Sequence, residues 1–511
     1  MATAAAVTPH FLATSTAIDV LSLGGTAIDA AIAADAVLGV VAPETCGVGG
    51  DLFALVHRPG LEKPAALNSF GRAGSNASSR ALRDEGYTEI PPMHPATATI
   101  PGCVDGWHAL AESGGRLSWA DRLGPALRNA ESGFPVSAAL SRSLATRADV
   151  LAPQAIGRHL FPFGRPPRPG DQLTRPDLAE TLKTIAKGDR DSFYLGAPGQ
   201  AVAESVSGLI DEKDLARIQA EWVDPIGLSI FGLEGWTVPP NSQGYLTLAS
   251  AAQYEEWRTD DLQEPERWHL AIESYRRQVS DRDLVLADPD FAPFSGQALL
   301  SQQRRLTPRN LDQRQRVRPT TPKLGGTAYL CVLDQEGCGI SLIQSNFMGL
   351  GTSIGAGNAG FILQNRGAGF SLIEGHPNEL APGKRPLHTL APSIWTKNGE
   401  LHTILGTRGG DYQPQLLLQM AIRMFDDHDT PAEAQVQPRW VIEDLGNPDA
   451  AVRVEEATPT DIVEGLGRRG HRVEVVAGVQ GGWGPVSVIR SGANVEAAAD
   501  PRVDTAAAET L

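Results

Sequence analysis

The stretch 304–323 constrains this chain more than any other. It holds seven basic residues (Arg304, Arg305, Arg309, Arg314, Arg316, Arg318 and Lys323) against one acid, Asp312, with three prolines and few apolar groups. A folded core does not take up such a segment, because its charges would leave water and its prolines lack backbone donors. It reads as an exposed, poorly ordered connector. The core must therefore be assembled from the sequence on either side. Helical patterns dominate before the connector and strand patterns after it.

On the N-terminal side, Phe11, Ala13, Ala17, Ile18 and Leu21 fit one helix, which stops at Gly24-Gly25. Thr26 caps a second, with Ile28, Ile32, Val37 and Val40 along it and small residues on nearly every face. That composition predicts a helix packed between layers. Pro43 closes it, and Gly47-Val48-Gly49-Gly50 forms a loop before the apolar strand Leu52 to Val56. Residues 100–240 alternate helical and turn-rich patterns, and a further helix is expected from Glu264 to Val279. After the connector, Gly325-Gly326 leads into the apolar run Ala328 to Leu333, a turn at 334–337 and a return strand, Gly339 to Gln344: a β-hairpin. Strands follow near Phe361–Leu363, Ile394–Thr396 and Leu401–Leu405, then a helix from Pro414 to Met424. Sheets covered by helices on both sides are the expected layering.

Charge narrows the function. With 44 basic and 60 acidic side chains the net charge is −16, so the chain is not a general binder of nucleic acid or anionic membrane. The basic connector lacks the interleaved aromatics that stack on bases. The most apolar stretch, Ala27 to Val41, is interrupted by Asp29 and Asp35 and is too short to span a bilayer. No Lys or Arg precedes Arg58, so no basic n-region of a secretory signal is present. Cys46, Cys103, Cys331 and Cys338 are widely spread and read as buried free thiols in a reducing compartment. A cytoplasmic protein is expected. No metal-ligand spacing is present, and no cofactor is expected.

Two features bear on chemistry. Thr327 opens a buried-looking strand directly after two glycines and the connector. Were the Gly326–Thr327 bond cut, Thr327 would carry a hydroxyl and a free α-amine, whose pKa near ~8 suits it as base for that hydroxyl. A threonine at a strand start is also an ordinary β-branched strand residue. Gly409-Gly410 lies between a strand and a helix, where backbone N–H groups can hold an oxyanion, although paired glycines also serve as plain loop geometry. Gly49-Gly50 lacks the strand–GxGxxG–helix order of a nucleotide loop.

Six ordered blocks carry a resemblance over nearly the whole chain. They are Gly24-Gly25-Thr26-Ala27-Ile28-Asp29-Ala30-Ala31 with Gly47-Val48-Gly49-Gly50; Pro101-Gly102 with Val104 and Gly106-Trp107; Asp281-Arg282 through Asp288-Pro289-Asp290-Phe291; Thr327 to Asp334; Gly383-Lys384-Arg385-Pro386-Leu387; and Gly409-Gly410. Together they resemble the γ-glutamyltranspeptidase family. The resemblance implies an α+β fold, the four-layer αββα sandwich of N-terminal nucleophile hydrolases. It also implies a precursor that cuts itself before a threonine, with pieces 1–326 (large, helix-rich) and 327–511 (small, sheet-rich) staying together as one structural domain. At ~100–200 residues per domain, length alone suggests three or four. Carried over, Thr327 is the nucleophile, Ser345 the second hydroxyl bonded to it, and Gly409 and Gly410 the oxyanion-hole glycines.

The departures fall in the substrate pocket. Members that accept γ-glutamyl compounds hold the glutamate carboxylate with an arginine and two serines, and its ammonium with an aspartate. Here Phe70 stands at the arginine position with Arg72 two residues on, and the serines become His388 and Thr389. The aspartate becomes Gly369, and polar neighbours become Arg366 and Phe347, the latter beside Asn346. Without the aspartate a buried ammonium has no partner, which costs several kcal/mol, so a free α-amino group is disfavoured. Arg366, Arg72 and His388 are candidates to receive a carboxylate; alternatively Arg366 pairs with a protein carboxylate and shapes its loop. The expected substrate-binding set is Arg72, Asn346, Arg366, His388 and Thr389.

The run Gln344 to Gly349 with Asn365-Arg366-Gly367-Ala368 is similar to the branch containing oxamate amidohydrolase and acylase-like members. That implies hydrolysis of a small amide bearing a carboxylate. The alternatives are γ-glutamyl hydrolysis or transfer on glutathione-like compounds, and a catalytically silent binding protein. The expected partners are the small amide and the two associating pieces, with homo-oligomerisation open.

Overall fold

A computed structural model describes residues 2–187, 189–302, 326–445, 447 and 449–511. The connector 304–323 and Gly325 lie outside the described residues. In chain order the strands are Ala5–Thr8 (β1), Asp51–His57 (β2), Ala65–Ser69 (β3), Phe134–Pro135 (β4), Gln172–Leu173 (β5), Ala220–Val223 (β6), Ile226–Ile230 (β7), Leu233–Thr237 (β8) and Gly326–Leu333 (β9). There follow Gly339–Phe347 (β10), Ser393–Lys397 (β11), Glu400–Thr407 (β12), Trp440–Ile442 (β13), Val452–Glu455 (β14), Val473–Val476 (β15), Val486–Arg490 (β16), Glu496–Ala499 (β17) and Ala507–Thr510 (β18).

Two antiparallel sheets make the centre. One has seven strands in the order β18-β1-β9-β10-β2-β3-β6, the other six in the order β17-β16-β12-β11-β8-β7. The alternation of side chains along β9 shows how they stack. Tyr329, Cys331 and Leu333 join Phe53, Leu55, Ile343, Ile394 and Ile404 in a core between the sheets. Ala328, Leu330 and Val332 point the other way, into a core shared with helices Phe11–Ser22 (α1) and Ala27–Val41 (α2). The six-stranded sheet is covered on its far side by Tyr245–Trp257, Glu264–Val279 and Gln413–Ala421. Helix, sheet, sheet, helix: this is the four-layer α+β sandwich.

Helix α2 is buried along all fifteen residues, as its small side chains predict. Thr26 caps it in a capping box with Asp29, and Asp29 also pairs with Arg122 at 2.7 Å. The hairpin forms as β9 and β10, joined at Asp334, and the four cysteines are free thiols. Two expectations need correction. Phe361–Leu363 is buried but forms only an isolated bridge at Ile362, because loop partners take its backbone: Ala356 N–H donates to Phe361 O, and Thr352 N–H to Leu363 O. The C-terminal helix ends as an α-helix at Ala421 and continues as a π-turn over Ile422–Asp426. Among the described residues no helix is long and apolar enough to cross a membrane.

Candidate active site

Register builds the site. Ser345 on β10 pairs with Thr327 on β9 and with Asp51 on β2, so three polar residues stand side by side on adjacent strands. Their strand neighbours at period two (Tyr329, Ile343 and Phe53) lie between the sheets, which puts the trio on that buried face. Thr327 Oγ1 is 2.9 Å from Ser345 Oγ, and Ser345 Oγ donates to the Gly326 carbonyl at 2.8 Å. A bulge follows Ser345 and turns the Phe347 N–H onto Ser345 Oγ at 2.8 Å, with Phe347 at φ +75°.

Arg366 opens a short 3₁₀ turn, Arg366–Gly369, and is wholly buried. Its guanidinium donates to Ser345 Oγ at 3.3 Å and to Thr389 Oγ1 at 3.1 Å. The Phe347 ring lies 3.7 Å beneath it, and Asp51 Oδ2 is 3.6 Å from its Nε. Asp51 also accepts the Gly71 N–H at 3.2 Å and faces His388 Nε2 at 3.3 Å. Because His388 Nδ1 accepts the Leu390 N–H at 3.1 Å, the ring proton sits on Nε2 and is donated to Asp51. Burial, with Arg366 adding to it, holds His388 well below the usual histidine range, so it stays neutral. Burial pushes the Asp51 carboxyl up to about 7, against the pull of Arg366, and lowers Arg366 to about 9. Near neutral pH Arg366 is a cation, and Asp51, close to its own midpoint, is the acid that supplies counter-charge beside it.

The paired glycines are tied to this cluster through Gln243. Its side-chain amide donates to Gly410 O at 3.0 Å and to Thr389 O at 2.9 Å, while its carbonyl accepts from Arg282 at 3.0 Å. Arg282 in turn pairs with Asp411 at 2.6 Å. Gly409 has φ +123°, and a Cβ there would lie 2.0 Å from Trp483 O, so only glycine fits.

The structure thus joins Thr327, Ser345, Arg366, His388, Thr389 and the Gly409-Gly410 turn in one hydrogen-bonded network. Arg72 is placed elsewhere. Its side chain pairs with Glu221 and Gln219, and Glu221 is shared with Arg385. Asn346 follows Ser345, but its amide turns to Pro43 O at 3.3 Å. Of the two roles open to Arg366, pairing with a protein carboxylate is the one seen. Sequence reasoning missed Asp51, Gln243, Arg282 and Asp411. Asp51 left one signal, a lone acid between a glycine loop and an apolar strand; Gln243 left none.

The family model described as gamma-glutamyltranspeptidase matches residues 13–510. The chain belongs to the γ-glutamyltranspeptidase family. It is 33% identical to a glutathione hydrolase-like proenzyme, YwrD, of Bacillus subtilis, over 98% of this chain and 97% of that one. It is 32% identical to an oxamate amidohydrolase proenzyme of Klebsiella pneumoniae, over 98% of each. Among solved structures it is similar to a cephalosporin acylase from Bacillus halodurans, with TM-score 0.89, 32% identity, and 99% and 96% of the two chains covered. This γ-glutamyltranspeptidase-family chain is therefore an enzyme of the N-terminal nucleophile class, a hydrolase or acyltransferase on the αββα sandwich.

Proposed function

We propose that the chain is a precursor that cuts itself between Gly326 and Thr327, and that Thr327 then hydrolyses a small, carboxylate-bearing amide resembling oxamate. The observation that supports this reading is the Thr327–Ser345–Arg366 contact series, which the pairing of β9 with β10 brings together at the start of β9. The products are pieces 1–326 and 327–511, held together by the shared sandwich, and the protein acts in the cytoplasm.

In the cut enzyme the Thr327 α-amine takes the proton from Oγ1 as that oxygen attacks the amide carbonyl carbon. The Gly409 and Gly410 N–H groups receive the oxyanion. The α-ammonium returns the proton to the leaving nitrogen, and an ester on Thr327 remains. Water, deprotonated by the same amine, then releases the acid.

Two arginines support an anionic acyl group. Arg366 has five N–H donors and spends two of them on hydroxyls. Arg408, directly before Gly409, has no hydrogen bond or ion pair from its guanidinium among the described residues, and burial lowers its pKa. Ammonia release from oxamate should exceed ammonia release from glutamine or aniline release from a γ-glutamyl anilide. The reverse ranking would favour the γ-glutamyl reading, and no turnover of either by correctly cut protein would favour a silent binder.

A further inference from the structure

We propose that Arg366, with Asp51 as its counter-charge, is a positioning residue for self-cleavage, acting through Ser345 on the Gly326 carbonyl. The inference rests on the reading of Gly326–Thr327 as the bond that is cut. It assigns Arg366 a task in the precursor, before any substrate is present.

Proton counting fixes the direction of the contacts. The Gly326 carbonyl can only accept, so the single Ser345 hydroxyl proton, 2.8 Å away, is donated to it. The 2.9 Å contact between Thr327 and Ser345 is then donated by Thr327, whose Oγ1 keeps its lone pairs free for attack. Thr327 and the Phe347 N–H at 2.8 Å fill the two lone pairs of Ser345 Oγ, and the longer 3.3 Å contact from Arg366 shares that oxygen as a cation set against it. A hydroxyl with a cation against its oxygen becomes a stronger donor, and its donation is aimed at the oxygen on which charge develops.

The step balances. Thr327 Oγ1 bonds to the Gly326 carbonyl carbon, and the carbonyl π pair moves to oxygen. The Thr327 proton passes to Ser345 Oγ while Ser345 gives its own proton to that oxygen. The carbon–nitrogen bond then breaks, and the proton on the oxygen goes to the Thr327 nitrogen. An ester joins Gly326 to Thr327 Oγ1, leaving a free α-amine; water hydrolyses the ester and leaves a carboxylate on Gly326.

The surroundings fit a fixed donor. Arg366 is held by Thr389, by the Phe347 ring and by Asp51, which stands next to Ser345 in register. Phe347 adopts a left-handed backbone that a phenylalanine rarely takes, and that turn delivers both its N–H to Ser345 and its ring to Arg366.

The test is a pulse-chase of the full chain on denaturing gels, with thermal unfolding of each variant. Removing a direct oxyanion donor costs 10²–10³-fold, and a group acting through a hydroxyl should cost about tenfold. Arg366→Gln should melt lower, because Asp51 loses its counter-charge, and in its folded form should cut about tenfold more slowly; Arg366→Lys should recover part of the rate. Thr389→Val, which removes the second anchor and keeps the volume, should cut several-fold more slowly. A folded Arg366→Gln chain that cuts at the wild-type rate overturns the proposal. If that variant does not fold, Thr389→Val decides: slowed cutting supports the relay and a wild-type rate overturns it. A wild-type chain that never cuts at this bond overturns the functional reading itself, which is a different result from normal cutting in every variant.

Discussion

Gly326→Ala places a methyl group at the scissile residue, and the structure says what it meets. Its Cβ would lie 2.2 Å from Glu44 O and 2.6 Å from Gly349 O, both backbone atoms that no rotamer can move. Reaching an ordinary contact of 3.4 Å requires a shift of about 1.2 Å. The Gly326 carbonyl, now 2.8 Å from Ser345 Oγ, shifts with it. Overpacking of this kind costs about 1–3 kcal/mol of stability. Misplacing a reacting group by about 1 Å costs on the order of 10²-fold in rate. The expected result is a lower melting temperature and about 100-fold slower conversion of the 511-residue chain to its two pieces on a gel. Chains that do become cut should hydrolyse amide at the wild-type rate, because the carbonyl has left its bond to Thr327. An alanine variant that cuts and melts like the wild type would refute the close approach and the role given to it.

Three further outcomes follow from the same geometry. Gly409→Ala meets Trp483 O and a left-handed φ, so self-cleavage should persist while amide turnover falls about 10²-fold, read as kcat on cut protein. Arg72→Met should leave KM for oxamate within about twofold and lower stability by about 1 kcal/mol, since Arg72 sits on the half-exposed Glu221; a large rise in KM would restore it to the pocket. Asp35 is wholly buried, with hydrogen bonds to one carboxyl oxygen from Trp107 at 2.8 Å and the Cys103 thiol at 4.0 Å, and burial raises its carboxyl to about 7. The folded state then keeps a proton that the unfolded state releases near pH 4, so stability falls as pH rises from about 4 to 7, by up to about 4 kcal/mol. Burial raises Asp51 and Glu44 to about 7 as well, so Asp35→Asn should flatten the slope by the Asp35 share alone, and denaturation midpoints at pH 4 and 8 that shift equally in variant and wild type would contradict it.

What the sequence made legible depended on how local each signal was. The Thr26 cap, the hairpin around Asp334 and the helix from Glu264 to Val279 are set by neighbouring residues, and all three form where the pattern put them. The strands β1 and β18 were not legible, because they pair Ala5 with Thr510 across nearly the whole chain. The site divides the same way. Thr327 and Ser345 lie on one hairpin and stood out in order, whereas Asp51 reaches them from a strand almost 300 positions away and Gln243 from a loop. Arg72 misled because it stands two residues past the arginine position, which Phe70 fills, and its side chain turns to Glu221, a partner 149 residues on.

The central claim is that Thr327 becomes a chain terminus and the nucleophile. Intact-mass and N-terminal analysis of purified protein tests it most directly. The account predicts a fragment of 185 residues beginning Thr-Ala-Tyr-Leu, accompanied by residues 1–326, and a single uncut chain for Thr327→Ala. A fully active wild-type protein that remains one chain of 511 residues would contradict it.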